Sequence, residues 1–276
     1  TDIFFRYLFG KQDNAGILLN FINAVLSDSG FPQVAKVEVR NPYNLGDLAS
    51  LKESILDVKA EDEQGRVYDI EVQVGEETDF ASRSLYYWAK NYTDQLKRGS
   101  EYFDLKPVIC INILNFVLIK GTGRVHTCFM VREKDDAELF MNNHLQIHFL
   151  QMPLFNDQAH EAVNRALYEW LIFFRDGNYE EAMVKYAIDN EMIGEARQEY
   201  ETFTQDEALR DSYEAHMKWV RDYNTMIRRS REKGLEEGAR QKALETARKM
   251  KALGLTLEQI AEVTGLGIAE VENISE

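Results

Sequence analysis

Cysteine is scarce: Cys110 and Cys128 are the only thiols in 276 residues, and they form no CxxC pair. Two such residues cannot build a disulfide framework, so a reducing compartment is the natural expectation. Proline is equally rare at 4 residues, and the 16 glycines follow no period, which excludes collagen-like and low-complexity architectures. No apolar run reaches the ~18 residues that a membrane span needs. The longest, residues 107–119, is interrupted by Asn112 and Asn115. Residues 1–6 (TDIFFR) carry neither a basic leader nor a small-residue cleavage site, and the absence of Met leaves residues before Thr1 open. The expectation is a soluble cytoplasmic protein with no membrane partner. No Walker A, GxSxG or dinucleotide-binding glycine pattern occurs.

What is present is ordinary globular material: 45% hydrophobic, 11% aromatic and 29% charged residues, enough for one large or two modest domains. The charge is lopsided. The net value is −15, yet residues 218–251 alone carry 11 Lys/Arg against 5 Asp/Glu. An acidic body argues against broad phosphate-backbone binding, which needs basic patches, but not against carboxylates that hold a metal.

Residues 2–9 and 14–26 read as helices, the second with Ile17, Leu18, Phe21, Ile22 and Val25 on one stripe. Residues 34–39 alternate as a short strand, and Asn41-Pro42 opens a loop running to Gly46. Residues 54–61 and 66–74 alternate as a hairpin around Gly65, and 79–102 read as a long amphipathic helix that Gly99 stops or kinks. Further strands are expected at 108–114, 125–132 and 145–151. Helices follow at 159–174, 179–190 and 205–229, with Gly234 and Gly238 interrupting the basic stretch. The expected domains are 1–155, a helical extension at 156–230, and a basic linker helix with a small tail at 231–276.

Parity sets the hairpin register. Leu56, Val58 and Ala60 share an apolar face with Tyr68, Ile70 and Val72, while Asp57 and Lys59 oppose them as Asp69, Glu71 and Gln73 do. Residues directly opposite across an antiparallel pair share a face, so an even-numbered loop would scramble this pattern. A three-residue loop, Glu63-Gln64-Gly65, keeps it, with Gly65 in the left-handed conformation the third position needs. That register puts Asp57 opposite Glu71 and Lys59 opposite Asp69. Facing carboxylates have Cβ atoms ~4.5–5.5 Å apart and repel unless a cation lies between them. Mg²⁺, which prefers carboxylate oxygens and water, suits such a pair. The plain alternative is a hairpin with one solvated face.

Asp57-x13-Glu71-x-Gln73 resembles the Asp…Glu-x-Lys core of PD-(D/E)XK nucleases, with Gln in the Lys position. The flanks resemble the recombination-promoting nuclease (Rpn) family, a transposase-related group. The matching blocks are residues 2–10 (DIFFRYLFG), a Leu-rich helix at 14–26, 52–60 (KESILDVKA), 68–73 (YDIEVQ), Arg83-x-x-Tyr86-Tyr87, and Gln95-x3-Gly99-x2-Tyr102-x4-Pro107. Arg6 stands where Lys is usual, and Gln151 where a Glu often ends the last strand. The resemblance implies an α/β fold: a restriction-endonuclease-like mixed sheet flanked by helices, with an α-helical C-terminal extension. It also implies a metal-dependent DNA endonuclease. Asp57 and Glu71 would hold Mg²⁺ (Mn²⁺ or Ca²⁺ as substitutes) with the backbone carbonyl of Val72, and Gln73 would position the nucleophile. Asp2, Tyr87 and Gln95 are accessory candidates, the last two with helix packing as their alternative. The contrasting reading is a catalytically weak nucleic-acid-binding or protein-interaction module that keeps the fold.

Other patterns carry less. His144 and His148 have zinc-pair spacing, but on a strand they stand ~13 Å apart. Cys110 reads as core. Residues 256–273 resemble the helix-turn-helix of resolvase-like proteins, yet the second helix offers Glu270 and Glu272 and no cation, which fits packing or self-association. The basic helix at 221–251 has too few apolar positions to bury itself. A homodimer, with the region after about residue 205 at the interface or against DNA, is expected because double-strand cutting needs two sites.

Overall fold

A computed structural model describes residues 2–42, 57–76, 79–97, 99–156, 162–175 and 188–274. Its centre is a six-stranded sheet of order β1-β2-β3-β4-β6-β5: β1 (Val37–Val39), β2 (Val58–Asp62), β3 (Val67–Gln73), β4 (Val108–Leu114), β5 (His126–Phe129) and β6 (Leu145–Gln151). β3, β4 and β6 run parallel, while β1, β2 and β5 pair antiparallel, so the sheet is mixed. β4 is buried at every position, as a central parallel strand covered on both faces must be.

The hairpin has the register that parity requires. Val58 pairs with Ile70 and Lys59 with Asp69. The Asp62 amide donates to the Arg66 carbonyl at 3.1 Å, and Gly65 turns with φ +78°. The predicted strand residues 54–56 and loop residues 43–46 lie outside the described residues.

One sheet face packs on helices α1 (Asp2–Phe9), α2 (Ala15–Asp28), α4 (Arg165–Arg175) and α5 (Glu191–Gln205). Its core joins Val58, Ala60, Tyr68, Ile70, Ile111 and Leu150 to Leu8, Phe21, Trp170 and Phe203. The opposite face is covered by α3 (Phe80–Thr93), where Phe80 packs with Val108, Cys110, Leu114, Ile147 and Phe149. Period-two alternation therefore sends Asp69, Glu71 and Gln73 to the α3 side.

Three helix boundaries differ from the sequence reading for local reasons. α3 ends at Thr93, not near 102, because the Gln95 side chain folds the chain back onto Lys106: its Nε2 donates to the Lys106 carbonyl at 3.1 Å and its Oε1 accepts the Lys106 amide at 2.9 Å. α4 starts at Arg165, where Asn164 Oδ1 accepts the Leu167 amide at 2.8 Å and so caps the helix. The helix expected at 179–190 falls mostly outside the described residues. Glycines 234 and 238 do not interrupt: α6 runs as one helix over Glu207–Ala252. Each Gly costs about 1 kcal/mol, which a long, cooperatively propagated helix absorbs.

The chain divides into two compact units, Thr1–Met217 and Lys218–Glu276. The second has its own small core of Ala247, Ile260, Val271 and Ile274. Within it, α7 (Leu257–Thr264) is capped reciprocally by Thr256 and Gln259 and stops at Gly265, φ +70°, before α8 (Ile268–Glu272). Glu270 pairs with Arg240 at 2.8 Å, and Lys251 Nζ donates to the carbonyls of Glu272 and Ile274 at 3.0 and 2.9 Å.

Candidate active site

The acidic centre lies where β2 and β3 pass beneath α3. Asp57 precedes β2, and its position is braced through its backbone: Arg6 Nη1 and Asn41 Nδ2, the latter at 3.2 Å, both donate to the Asp57 carbonyl. Asn41 Oδ1 in turn accepts the Lys59 amide at 2.7 Å. Arg6 thus anchors the start of the hairpin from α1.

From α3, Arg83 and Asn91 reach β3, and Tyr87 lies between them in the same i, i+4, i+8 row. Arg83 Nη2 donates to Glu71 Oε1 and lies 3.4 Å from Gln73 Oε1. Asn91 Nδ2 donates to Asp69 Oδ2 at 2.6 Å, while its Oδ1 accepts from Lys59 Nζ at 2.9 Å. Lys59 Nζ is also 3.7 Å from Asp57 Oδ2. A neighbouring row docks the helix. Ser84 Oγ meets Asn112 Nδ2 at 3.2 Å, and Trp88 Nε1 donates to the carbonyls of Val108 (3.1 Å) and His144 (3.3 Å).

Burial under α3 makes these carboxylates reluctant to ionise. Glu71 is pushed up to about 7, chiefly by burial, with the Arg83 charge opposing and the Asp69 and Asp57 charges adding to the rise. Asp69 is pushed up to about 6 by burial and by the Asp57 charge, against the pull of Lys59 and Asn91. Asp69 Oδ1 is buried with no hydrogen-bond partner among the described residues. Glu71 and Asp69, each raised in part by neighbouring carboxylate charge, form a centre that favours added positive charge.

A divalent cation fits this chemistry. Among the described residues no three His, Cys, Asp or Glu side chains converge as a ready-made metal cage. Mg²⁺ does not need one: it is held by one or two carboxylates and completes its coordination with water and substrate phosphate oxygens. The all-oxygen donor set and the unsatisfied Asp69 oxygen suit it.

The sequence-derived candidates fall as follows. Glu71 and Gln73 share the α3 face of β3, and Asp57 stands at the entry of β2, close enough for its charge to raise both Glu71 and Asp69. Val72 lies between Glu71 and Gln73 and packs toward the main core. Tyr87 lies in the Arg83 row, with the guanidinium carbon 5.8 Å from its ring centroid. Both ends of the Gln95 amide are taken by Lys106. Asp2 opens α1, and its side chain lies outside the described residues. Sequence reasoning named Arg83 within a family-like block without giving it a site role, and it missed Asn91 and the inward role of Asp69, although the four-residue spacing of 83, 87 and 91 was there to be read. Gln151 carries a structural part: its Oε1 accepts the amides of Leu118 (2.9 Å) and Ile119 (2.8 Å) and its Nε2 donates to the Arg124 carbonyl at 3.0 Å.

The two histidines of the zinc-like spacing do different things. His144 Nδ1 lies 2.8 Å from the Tyr92 hydroxyl. His148 is fully buried in a line of polar contacts that runs from Asp28 Oδ2 to His126 Nδ1 (2.5 Å) and from His126 Nε2 to His148 Nδ1 (3.0 Å). Burial holds His148 well below the usual histidine range, so it stays neutral, and burial likewise raises the Cys110 thiol well above its ordinary value.

A mixed sheet with helices on both faces and an Asp…Glu-x-Gln acidic centre on its antiparallel hairpin defines a nuclease-like α/β protein. The family model for PD-(D/E)XK nuclease family transposases matches residues 1–230, and the chain belongs to that family. No curated protein and no solved structure matches it. Membership points to a nuclease- or transposase-related role with DNA as substrate, and nucleases of this class generally use divalent metal ions. No helix among the described residues is long and apolar enough to cross a membrane.

Proposed function

We propose that the protein is a metal-dependent DNA endonuclease that hydrolyses phosphodiester bonds, in keeping with recombination, mobile-element or defence roles. The observation that carries this reading is the buried Glu71 beside Asp57 and Asp69, three carboxylates whose mutual repulsion an added cation relieves. Asp57 and Glu71 hold a divalent cation, Mg²⁺ in the first instance, with the Val72 carbonyl as a further oxygen. That cation supplies Lewis-acid stabilisation of the scissile phosphate and activation of water. Gln73 orients the attacking water through its amide, and Asn91 keeps Asp69 in place on one side and Lys59 on the other. Tyr87 stands beside Arg83 on the same helical row, one turn on from the side chain that meets Glu71.

The test is plasmid cleavage in Mg²⁺ by the full chain and by Asp57→Ala. Loss of cleavage in the variant is expected, and equal cleavage would remove the reading. The neutral Gln73 in place of a lysine favours one alternative, a catalytically weak module that keeps the fold. Calorimetry separates the two, because the alternative requires no Mg²⁺ or Mn²⁺ binding that depends on Glu71.

Two cuts on opposite strands require two such sites, so the active species on this reading is a homodimer, with the region after residue 205 at the interface or along DNA.

A further inference from the structure

The third position of the Asp…Glu-x-Gln pattern is a neutral amide, so it brings no charge to a phosphate. A cation stands across the hairpin instead. The register pairs Lys59 of β2 with Asp69 of β3, and both side chains turn to the α3 face. Lys59 Nζ donates to Asn91 Oδ1 at 2.9 Å and lies 3.7 Å from Asp57 Oδ2, beyond hydrogen-bond reach. Asn91 is itself fixed: its Nδ2 is committed to Asp69 Oδ2 at 2.6 Å, which leaves Oδ1 to face the amine.

An ammonium carries three N–H groups, and Asn91 takes one. Among the described residues no other acceptor lies within hydrogen-bond distance of Lys59 Nζ. A side chain that served Asp57 alone would close the pair to about 2.8 Å; Asn91 holds the amine back. The Lys59 side chain keeps 36% exposure, so the remaining N–H groups are accessible from solvent at the edge of the acidic centre. A phosphodiester brought to Asp57 spreads one negative charge over two non-bridging oxygens, and a second develops as water adds to phosphorus. A lysine ammonium is a compact point charge that can serve either oxygen without a set angle.

We infer that Lys59 is a catalytic residue of this centre: its ammonium, aimed by Asn91, binds a non-bridging oxygen of the scissile phosphate and offsets the charge that develops there, a part the neutral Gln73 cannot take. Asn91 is the positioning residue. The inference rests on the reading of Asp57 and Glu71 as the metal-holding pair of a nuclease. It separates Lys59 from a mere counter-ion of Asp57 and Asp69, which would make no contact with DNA.

The experiment uses the full chain. Anisotropy of a fluorescent DNA duplex in Ca²⁺ is expected to show several-fold weaker binding by Lys59→Met, with a log–log salt slope smaller by about 1. Single-turnover plasmid nicking in Mg²⁺ at saturating protein is expected to be about a hundredfold slower, the effect of losing one charge-stabilising donor. Mn²⁺ titrated without DNA should bind the variant at least as tightly as wild type, because no ligand oxygen is lost. Lys59→Gln, which keeps a donor for Asn91, serves as the second variant if the first does not fold. An unchanged DNA affinity and salt slope, in protein with a wild-type circular dichroism spectrum, overturns the inference, and so does nicking at the wild-type rate. Weaker Mn²⁺ binding also overturns it, since Lys59 would then act by shaping the carboxylates. Glu71→Gln distinguishes the level of failure. If it binds Mn²⁺ as wild type does, the metal-ligand reading itself is wrong. If Mn²⁺ binding depends on Glu71 but Lys59→Met keeps the wild-type salt slope, only the role of Lys59 is lost.

Discussion

Glu71 ionises in ordinary surroundings near 4.5 and in the fold near about 7. Between those values the unfolded chain has released its proton and the native chain still holds it, so the native state is favoured by acid. The contribution is fully present below 4.5 and is lost as pH rises through about 7. Glu71→Gln mimics the protonated form, including its relation to Arg83. It should therefore stabilise the metal-free protein at pH 8 by roughly 2 kcal/mol, with the difference closing toward acid. Thermal unfolding of both proteins across this range checks it, and a destabilised variant at pH 8 would contradict the burial account. A divalent cation has the complementary effect. Mn²⁺ should raise the wild-type melting temperature more at pH 8 than at pH 6, since it binds the ionised carboxylate, and should leave Glu71→Gln unmoved.

At the scale of elements, the centre depends on the hairpin register and on the seating of α3. Gly65 holds φ +78°, and a Cβ there would stand 3.3 Å from Lys106 Cγ. Gly65→Ala should cost about 1 kcal/mol through the left-handed backbone, read as a lower urea midpoint at unchanged m-value. Trp88→Phe removes a donor shared by two backbone carbonyls and should cost about 1 kcal/mol while weakening Glu71-dependent Mn²⁺ binding, because the helix whose Asn91 holds Asp69 and Lys59 loosens. Undiminished metal affinity would separate helix seating from the site. The hairpin was legible in the sequence because period-two alternation on both strands with a three-residue turn at Gly65 admits one register, and β4 because a nearly continuous apolar run, broken only by Asn112, marks a buried strand. Helix ends were less legible. Gln95 and Asn164 stop and start helices through contacts with Lys106 and Leu167 that no periodicity announces. Asp57, Glu71 and Gln73 stood out by spacing and family likeness. Arg83 lay in a family-like block, yet its contact with Glu71 was not legible, because a cation on an amphipathic helix reads as solvent-facing until the strand beneath it is placed.

Over the whole chain, charge is segregated, with the excess of Lys and Arg confined to residues 218–251 and the acidic excess elsewhere. The C-terminal unit stabilises itself on Ala247, Ile260, Val271 and Ile274, and several of its larger apolar side chains, Leu235, Leu253 and Val263, remain exposed. An acidic body and a basic helix with uncovered apolar positions suit association between two copies. The homodimer reading predicts that light scattering at micromolar concentration gives twice the 32.0 kDa chain mass, and that a chain ending near residue 206 loses this association. A monomeric full chain whose DNA affinity survives the truncation would remove the dimer from the account.

The central claim, that Glu71 and Asp57 form a metal-dependent nuclease centre, meets its most direct test in one preparation of Glu71→Gln. Incubated with supercoiled plasmid and Mg²⁺ beside wild type, it should nick no faster than wild type in EDTA, although it unfolds at a higher temperature at pH 8. A stable variant without cleavage separates the chemistry of Glu71 from its part in the fold. Cleavage by Glu71→Gln at the wild-type rate would contradict the account.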